Sequence, residues 1–458
     1  MRRIVMISRK YLHLVAPPAF PPTFRVSGAR FQDLLRKFAL LIAGLTGALV
    51  LSSSLAARAD VIVDWNARAE AIAIEKRLLP PLNARMMALV HVAMFEAVNA
   101  IDRRYAPYGI KLEANTGASR DVAASTAAYK VLVTLHPDQR SSLDAVLAAA
   151  VSSVADGEAK TKGVELGSHA AAQVLALRAK DGADAAERYR PHAAAGVYVP
   201  TTVPVSSTYG QVSPWVMESG TQFRPAPPPA LTSATWTRDL NEIKDIGAHN
   251  SAKRSAEQTA IARFWFVTGP QTWNPVVRQL AASKKLDTID SARLFALVAM
   301  AADEAFIAVF DAKYHYNFWR PLTAIRNADL TKNPATQRDP SWLPLGDTPM
   351  HPEYPCAHCI TNAAVTTILR SFFGEEIPEV AMTSTTMPGV TRKWTRLQDL
   401  TDEVSAARIY AGFHYRFSTK VGEDMGRKIG ELTLKTQLRA QETSASPGKP
   451  GDDRKPGK

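Results

Sequence analysis

Apolar residues recur at three- and four-residue intervals along most of the chain, the period of an α-helix with one buried face. The longest stripes are Met86, Met87, Val90, Met94, Phe95 and Val98 within 82–101, and Leu294, Val298, Ala302, Phe306 and Val309 within 289–318. Similar spacing predicts helices over 65–79, 121–135, 140–152, 163–184, 251–267, 272–284, 399–413 and 418–438. Another stripe, Ile360, Ala363, Ala364, Thr367, Ile368 and Phe372, follows a turn through Pro352 and Pro355 and closes at Gly374. Runs of Val, Ile and Thr are few and no strand–helix rhythm repeats, so the fold class is all-α. His91 lies on the stripe within 82–101 and reads as a core histidine rather than a ligand.

The interruptions set the organisation. Residues 185–245 are rich in Pro, Tyr, Ser, Thr and Trp without period, and read as a long ordered excursion that could rim a site. Residues 327–350 and 375–394 read as loops. Near the start, Arg36 and Lys37 precede an apolar run from Phe38 to Leu51 and the small-residue pattern Ala57-Arg58-Ala59. That is the layout of a signal peptide with a long N-terminal extension, 1–59, cleaved near Ala59. The remainder divides into an N-terminal helical part, 60–250, a C-terminal helical part, 251–440, and a tail, 441–458, with the composition of disorder.

Charge alters the picture less than it first suggests. The chain carries a net +12, but residues 1–59 hold nine Lys/Arg and one Asp, which leaves about +4 on the rest. No basic stripe is interleaved with aromatics, so nucleic acid is not an expected partner. The 46% of apolar residues suffices for a globular fold; no stretch after the leader reaches 18 uninterrupted apolar residues, so the mature chain is expected to be soluble and periplasmic or secreted.

Three clusters could carry chemistry. Lys313 and Arg320, seven residues apart in KYHYNFWRP, would share one helix face about 10 Å apart and could grip one oxyanion, with Tyr314, Tyr316, Phe318 and Trp319 walling the place. Cys356, Ala357, His358 and Cys359 stand where a helix begins, and its first amides favour an anion. Arg408 and His414 flank Gly412; six residues put them off a common face, so using both requires the helix to end near Gly412. Arg416 reads as a surface cation. The two cysteines, three apart, leave a redox pair, a zinc site and a local disulfide open, without the strand context of the first or the extra ligands of the second.

Together these clusters resemble the signature of vanadium-dependent haloperoxidases and the related type 2 acid phosphatases of the phosphatidic acid phosphatase superfamily. The family's Lys, six residues, Arg-Pro stands as Lys313 to Arg320-Pro321; its Pro-Ser-Gly-His as Pro355-Cys356-Ala357-His358; its Ser-Arg and Gly-x-His as Ala407-Arg408 and Gly412-Phe413-His414. The resemblance covers the C-terminal third, and the length suits the haloperoxidase-like branch. It implies a large helical bundle in which Lys313, Arg320 and Arg408 neutralise a bound oxyanion. The Ala357 amide and the Cys356 side chain would complete its cradle. His414 would bond to the vanadium of vanadate, or attack phosphorus, and His358 would be the acid–base group.

Where the family has a carboxylate four residues after the last histidine, this chain has Ser418, with Glu423 or Asp424 as candidates from the next turn. Cys356 and Ala357 replace Ser and Gly, exchanging a hydroxyl donor for a weak, oxidisable thiol and adding a methyl. His351, five before Cys356, occupies the position where bromide-oxidising members carry histidine. The resemblance thus implies vanadate as cofactor and oxidation of halide, bromide in particular, by hydrogen peroxide. The alternatives are hydrolysis of a phosphate monoester through a phosphohistidine, with no cofactor, and a non-catalytic oxyanion-binding homologue. A homodimer is compatible with each.

Overall fold

The apolar stripes become helices close to their expected bounds. The computed structural model describes residues 60–441, which fall in one compact unit. The expected leader, 1–59, lies outside the described residues, as does the tail beyond 441. In order come α1 (Val61–Glu75), α2 (Pro80–Asp102), α3 (Arg120–Leu135), α4 (Arg140–Ser152), α5 (Glu158–Leu177), α6 (Ala234–Ile246), α7 (Ala256–Phe264), α8 (Asn274–Lys284), α9 (Thr288–Tyr316) and α10 (Pro321–Arg326). After the loop come α11 (Ala357–Phe373), β1 (Glu376–Ser384), β2 (Met387–Arg396), α12 (Leu397–Tyr410) and α13 (Arg416–Thr436).

Helix starts follow local chemistry. Asp60, Ser119, Ser233, Ser255 and Asp287 each accept a first-turn amide, and Ser255 with Gln258 closes a reciprocal capping box. Helix α9 is the central post: it packs on α2 on one side and α11 on the other, and α11 lies along α13. The last contact is close because α13 presents glycine every fourth residue. A Cβ at Gly422, Gly426 or Gly430 would stand 2.7, 2.1 or 2.6 Å from the Cys356 carbonyl, the Ile360 carbonyl or Thr367. This packing seats the start of α11 against the core. His91 is buried as expected, bonded to Asn66 (2.9 Å) and stacked on Phe295 (5.1 Å).

Two stretches differ from their expected character. The loop expected at 375–394 is an antiparallel hairpin of β1 on β2. Pro378, Pro388 and Gly389 broke the sequence period, and the register is irregular between Glu376 and Val380, beside Pro378. Val380, Met382 and Trp394 nevertheless point into the core. The excursion ends in α6, whose Trp236, Leu240 and Ile243 are buried at helical spacing. Before α6 its irregular backbone is tied down by buried acids of α9. Asp303 accepts from the Tyr209 hydroxyl (2.6 Å) and the Trp215 indole (2.8 Å), and Glu304 accepts the amides of Trp215 and Met217.

Candidate active site

Lys313 and Arg320 reach one place, but not from one helix. Helix α9 ends at Tyr316, Asn317 turns left-handed (φ 48°), and Arg320 caps the short α10 from extended backbone. The expected shared helix face is therefore replaced by a helix end and a strap. Both cations are fully buried. Lys313 Nζ donates to the carbonyls of Pro352 and Glu353, each at 2.8 Å. Arg320 donates to the carbonyls of His351 (2.9 Å) and Phe413 (3.0 Å), to His351 Nδ1 (3.0 Å) and to His414 Nε2 (3.1 Å).

Arg408 and His414 meet because α12 ends at Tyr410, as their spacing requires. Gly412 then adopts φ +79°, and a Cβ there would lie 2.6 Å from the Gly247 carbonyl, so only glycine fits. Arg408 donates to the Trp265 carbonyl (2.6 Å), its guanidinium lies 4.9 Å from the centre of the Phe413 ring, and its buried Nε has no partner among the described residues. His414 Nδ1 lies 2.8 Å from a carboxylate oxygen of Glu353, which also accepts the Tyr415 amide (3.1 Å). A carboxylate can only accept there, so Nδ1 carries the proton and Nε2 keeps its lone pair.

The third wall is the start of α11. Cys356 caps it, its sulfur accepting the Cys359 amide at 3.2 Å, and is disulfide-bonded to Cys359. The expected Cys356 donor is thereby corrected: with its sulfur oxidised it has no proton to give. The amides of Ala357 and His358, first in the helix, have no intrahelical acceptor and remain for a ligand. His358 Nε2 donates to the Val267 carbonyl (3.0 Å), which leaves Nδ1 as a base. His351 packs edge-on to Phe310 (5.3 Å) and, accepting a hydrogen bond from Arg320 at Nδ1, carries its own proton on Nε2.

Crowded cations set the electrostatics. Burial, then the charge of Arg320, holds Lys313 well below the usual lysine range. Burial pushes Arg320 down to about 10, and burial with the charge of Arg320 pushes Arg408 down to about 9. His351, His358 and His414 are all held well below the usual histidine range, burial first and then Lys313, Arg320 or Arg408, so all three rings are neutral at pH 7. Burial raises Glu353 to about 7 against the pull of Arg320 and Lys313. Such a site lacks negative charge. The spare Arg408 Nε, the third proton of Lys313 and the two free amides suit a compact oxyanion.

The structure thus brings Lys313, Arg320, His351, Ala357, His358, Arg408 and His414 together. Ser418 is buried at the same place, but its hydroxyl faces Glu353 rather than His414. Glu423 and Asp424 do not substitute for the missing carboxylate: they pair outward with Lys420 (2.9 Å) and with Arg427 and Lys428 (2.7 and 2.6 Å). Arg416 pairs with Glu242 on the surface. The carboxylate that orients His414 is Glu353, missed in sequence because it lies 61 residues before its partner. Its signal was an acid inside an otherwise apolar, proline-bounded turn.

Residues 293–442 match the family model of the VCPO second helical-bundle domain. Vanadium chloroperoxidase of Curvularia inaequalis is 25% identical over 286 residues, 47% of this chain and 46% of that protein. The chain thus spans about half the length of the curated relative it matches. Among solved structures, one described as the first bacterial vanadium-dependent iodoperoxidase superposes with a TM-score of 0.73, at 24% identity, over 84% of this chain and 98% of that one. A holo-type bacterial vanadium-dependent chloroperoxidase superposes with a TM-score of 0.60, at 17% identity, over 78% and 92%.

Proposed function

We propose that this chain, whose residues 293–442 match the VCPO second helical-bundle domain, binds vanadate and oxidises halide with hydrogen peroxide, bromide foremost. One observation carries the reading. A neutral His414 is fixed by Glu353 through Nδ1, with its Nε2 turned to Arg320 and within the field of Lys313 and Arg408. Vanadate, when bound, supplies a Lewis-acidic centre that activates peroxide.

The chain's own residues do the rest. Lys313, Arg320 and Arg408 neutralise the oxyanion, with the Ala357 and His358 amides completing the cradle. His414 offers the donor atom, and Glu353 keeps its proton on the far nitrogen. His358, neutral with Nδ1 free, accepts a proton from hydrogen peroxide and can return it to the departing oxygen. Beside it a chamber of about 70 Å³, lined by His351, Phe306 and Phe310, is large enough for a halide. The disulfide supports an oxidising role, because it removes a free thiol from a place where peroxide would consume it. It also supports work outside the cytoplasm, in line with the leader-like start.

The same cradle and lone pair suit a phosphate monoester attacked by His414, so the test runs both arms. Purified protein is titrated with orthovanadate and assayed for peroxide-dependent bromination, and without vanadate for phosphomonoester hydrolysis. Vanadate-dependent bromination that His414→Ala reduces by at least about a thousandfold is the expected result. Hydrolysis inhibited by vanadate, without bromination, would replace this reading with the phosphatase. Vanadate binding without either activity would leave an oxyanion-binding homologue.

A further inference from the structure

The hairpin of β1 on β2 contributes no side chain to the site, yet it is built as a support. A lone two-stranded ribbon is marginal by itself and holds only when packed. Here Gln279 of α8 clamps it, exchanging hydrogen bonds of 2.7 and 2.9 Å with the Ala381 backbone, and Val380, Met382 and Trp394 are buried beneath. The ribbon grips the residues that leave α7. Ser384 donates to the Phe264 carbonyl (2.7 Å) and Thr386 to the Arg263 carbonyl (2.8 Å). The Trp394 ring lies 6.4 and 5.8 Å from those of Phe264 and Trp265. The gripped strap then runs to the floor of the site. Trp265, fully buried, lies along α12 and is bonded to it at two points. Its indole donates to Glu403 (2.9 Å), and its carbonyl accepts from Arg408 (2.6 Å). Two residues on, the Val267 carbonyl accepts from His358 Nε2 (3.0 Å). Glu403 is itself held by the hairpin, since Arg392 of β2 donates to its two oxygens at 2.7 and 2.9 Å.

We propose that the hairpin buttresses the active site and that Glu403 is a positioning residue, aiming the Trp265 and Val267 carbonyls at Arg408 and His358 through the Trp265 indole. Glu403 touches neither the oxyanion cradle nor the acid–base group. Its effect travels along the strap: one carbonyl orients a buried cation, and the next decides which nitrogen of a histidine carries the proton. Without the indole hydrogen bond the strap is free to shift along α12. Arg408 then loses a charged-donor hydrogen bond, and His358 loses the acceptor that keeps its proton on Nε2 and its Nδ1 free. The roles of Arg408 and His358 rest on the function proposed above; the contacts that place them do not.

Three variants separate positioning from mere support. Glu403→Leu removes the acceptor, Trp265→Phe removes the donor, and Glu403→Gln keeps an oxygen for the indole while dropping the charge. Orthovanadate affinity is read by calorimetry. The protonated nitrogen of His358 is read by heteronuclear NMR of histidine-labelled protein, its signal assigned with His358→Gln. Glu403→Leu and Trp265→Phe should weaken vanadate binding on the order of 10–100-fold and move part of the His358 proton from Nε2 to Nδ1. Glu403→Gln should recover most of both. Lys393→Ala, which breaks an exposed ion pair with Glu379 on the same hairpin, should change neither. Unchanged affinity and tautomer in Glu403→Leu and Trp265→Phe overturn the proposal, even where the denaturation midpoint falls. So does equal loss in Glu403→Gln and Glu403→Leu, which would make the effect one of charge. If the parent protein binds no vanadate, the functional reading falls by itself, and the His358 tautomer alone decides the buttress.

Discussion

Two buried carboxylates, one on α9 and one in the turn before α11, do different work with similar chemistry. Glu304, beside Asp303, and Glu353 are both fully buried and both raised by burial, to about 8 and about 7. Glu304 is held by the peptide amides of Trp215 and Met217, dipoles that stay in place whatever binds elsewhere. Glu353 is held by the field of Arg320 and Lys313, and by a proton on His414. One acid anchors an irregular segment, and its stabilisation is indifferent to ligand. The other shares its counter-charges with the site, so anything that binds those cations is felt at Glu353. Substitution at the two should therefore split cleanly between function and stability.

The largest effect is expected at Glu353. In Glu353→Ala, His414 loses the acceptor that fixes its proton on Nδ1, and the Tyr415 amide is left unpaired. Activity should fall on the order of 10²–10⁴-fold, and vanadate affinity on the order of 10–100-fold. Glu353→Gln keeps an oxygen that can accept from Nδ1, and should recover part of the affinity although the charge is gone. Vanadate titrations of both variants check this. Equal loss in the two would mean that the glutamate serves only to balance charge. The matching change at the other acid, Glu304→Gln, leaves one of two amides facing an NH₂ group. It should cost about 1–3 kcal/mol in chemical denaturation, with rate per folded molecule unchanged. A specific-activity loss there would break the contrast.

That contrast also marks what could be read before the fold was known. Helices were legible because burial on one face writes a period into the sequence, and α9 and α2 kept it over long stretches. The cationic residues, His358 and His414 were legible because their spacing survives intact in three separate segments. Glu353 was not, because its partner is 61 residues away and a turn imposes no period. The route of Lys313 and Arg320 to one place was misread for a related reason: a helix C-terminus at Asn317 leaves a weak mark when no glycine supplies the left-handed residue. The hairpin from β1 to β2 was hidden by prolines that its irregular register accommodates. Cys356 was ambiguous until the disulfide to Cys359 showed that its sulfur caps a helix and donates nothing.

The smallest effect is a count of protons, and it bears on the same pair of acids. Lys313, His358 and His414 are held below their usual values by burial and by the neighbouring cations. An oxyanion adds negative charge beside them, which raises all three and raises Glu353 above its value near 7. Every one of these shifts favours a bound proton, so anion binding near pH 7 takes protons up and strengthens as pH falls. For the protein alone the sign runs the other way at the histidines. Their folded values lie below the unfolded value of about 6.5, so stability declines as pH drops through that range. Calorimetric titration with inorganic phosphate in buffers of different ionisation enthalpy should therefore give net uptake on the order of one proton, after correction for phosphate's own ionisation. Glu353→Gln should lower that uptake and Glu304→Gln should leave it unchanged, because peptide dipoles do not respond to the ligand. A corrected uptake of zero in the parent protein would mean that the cluster is already charged before the anion arrives.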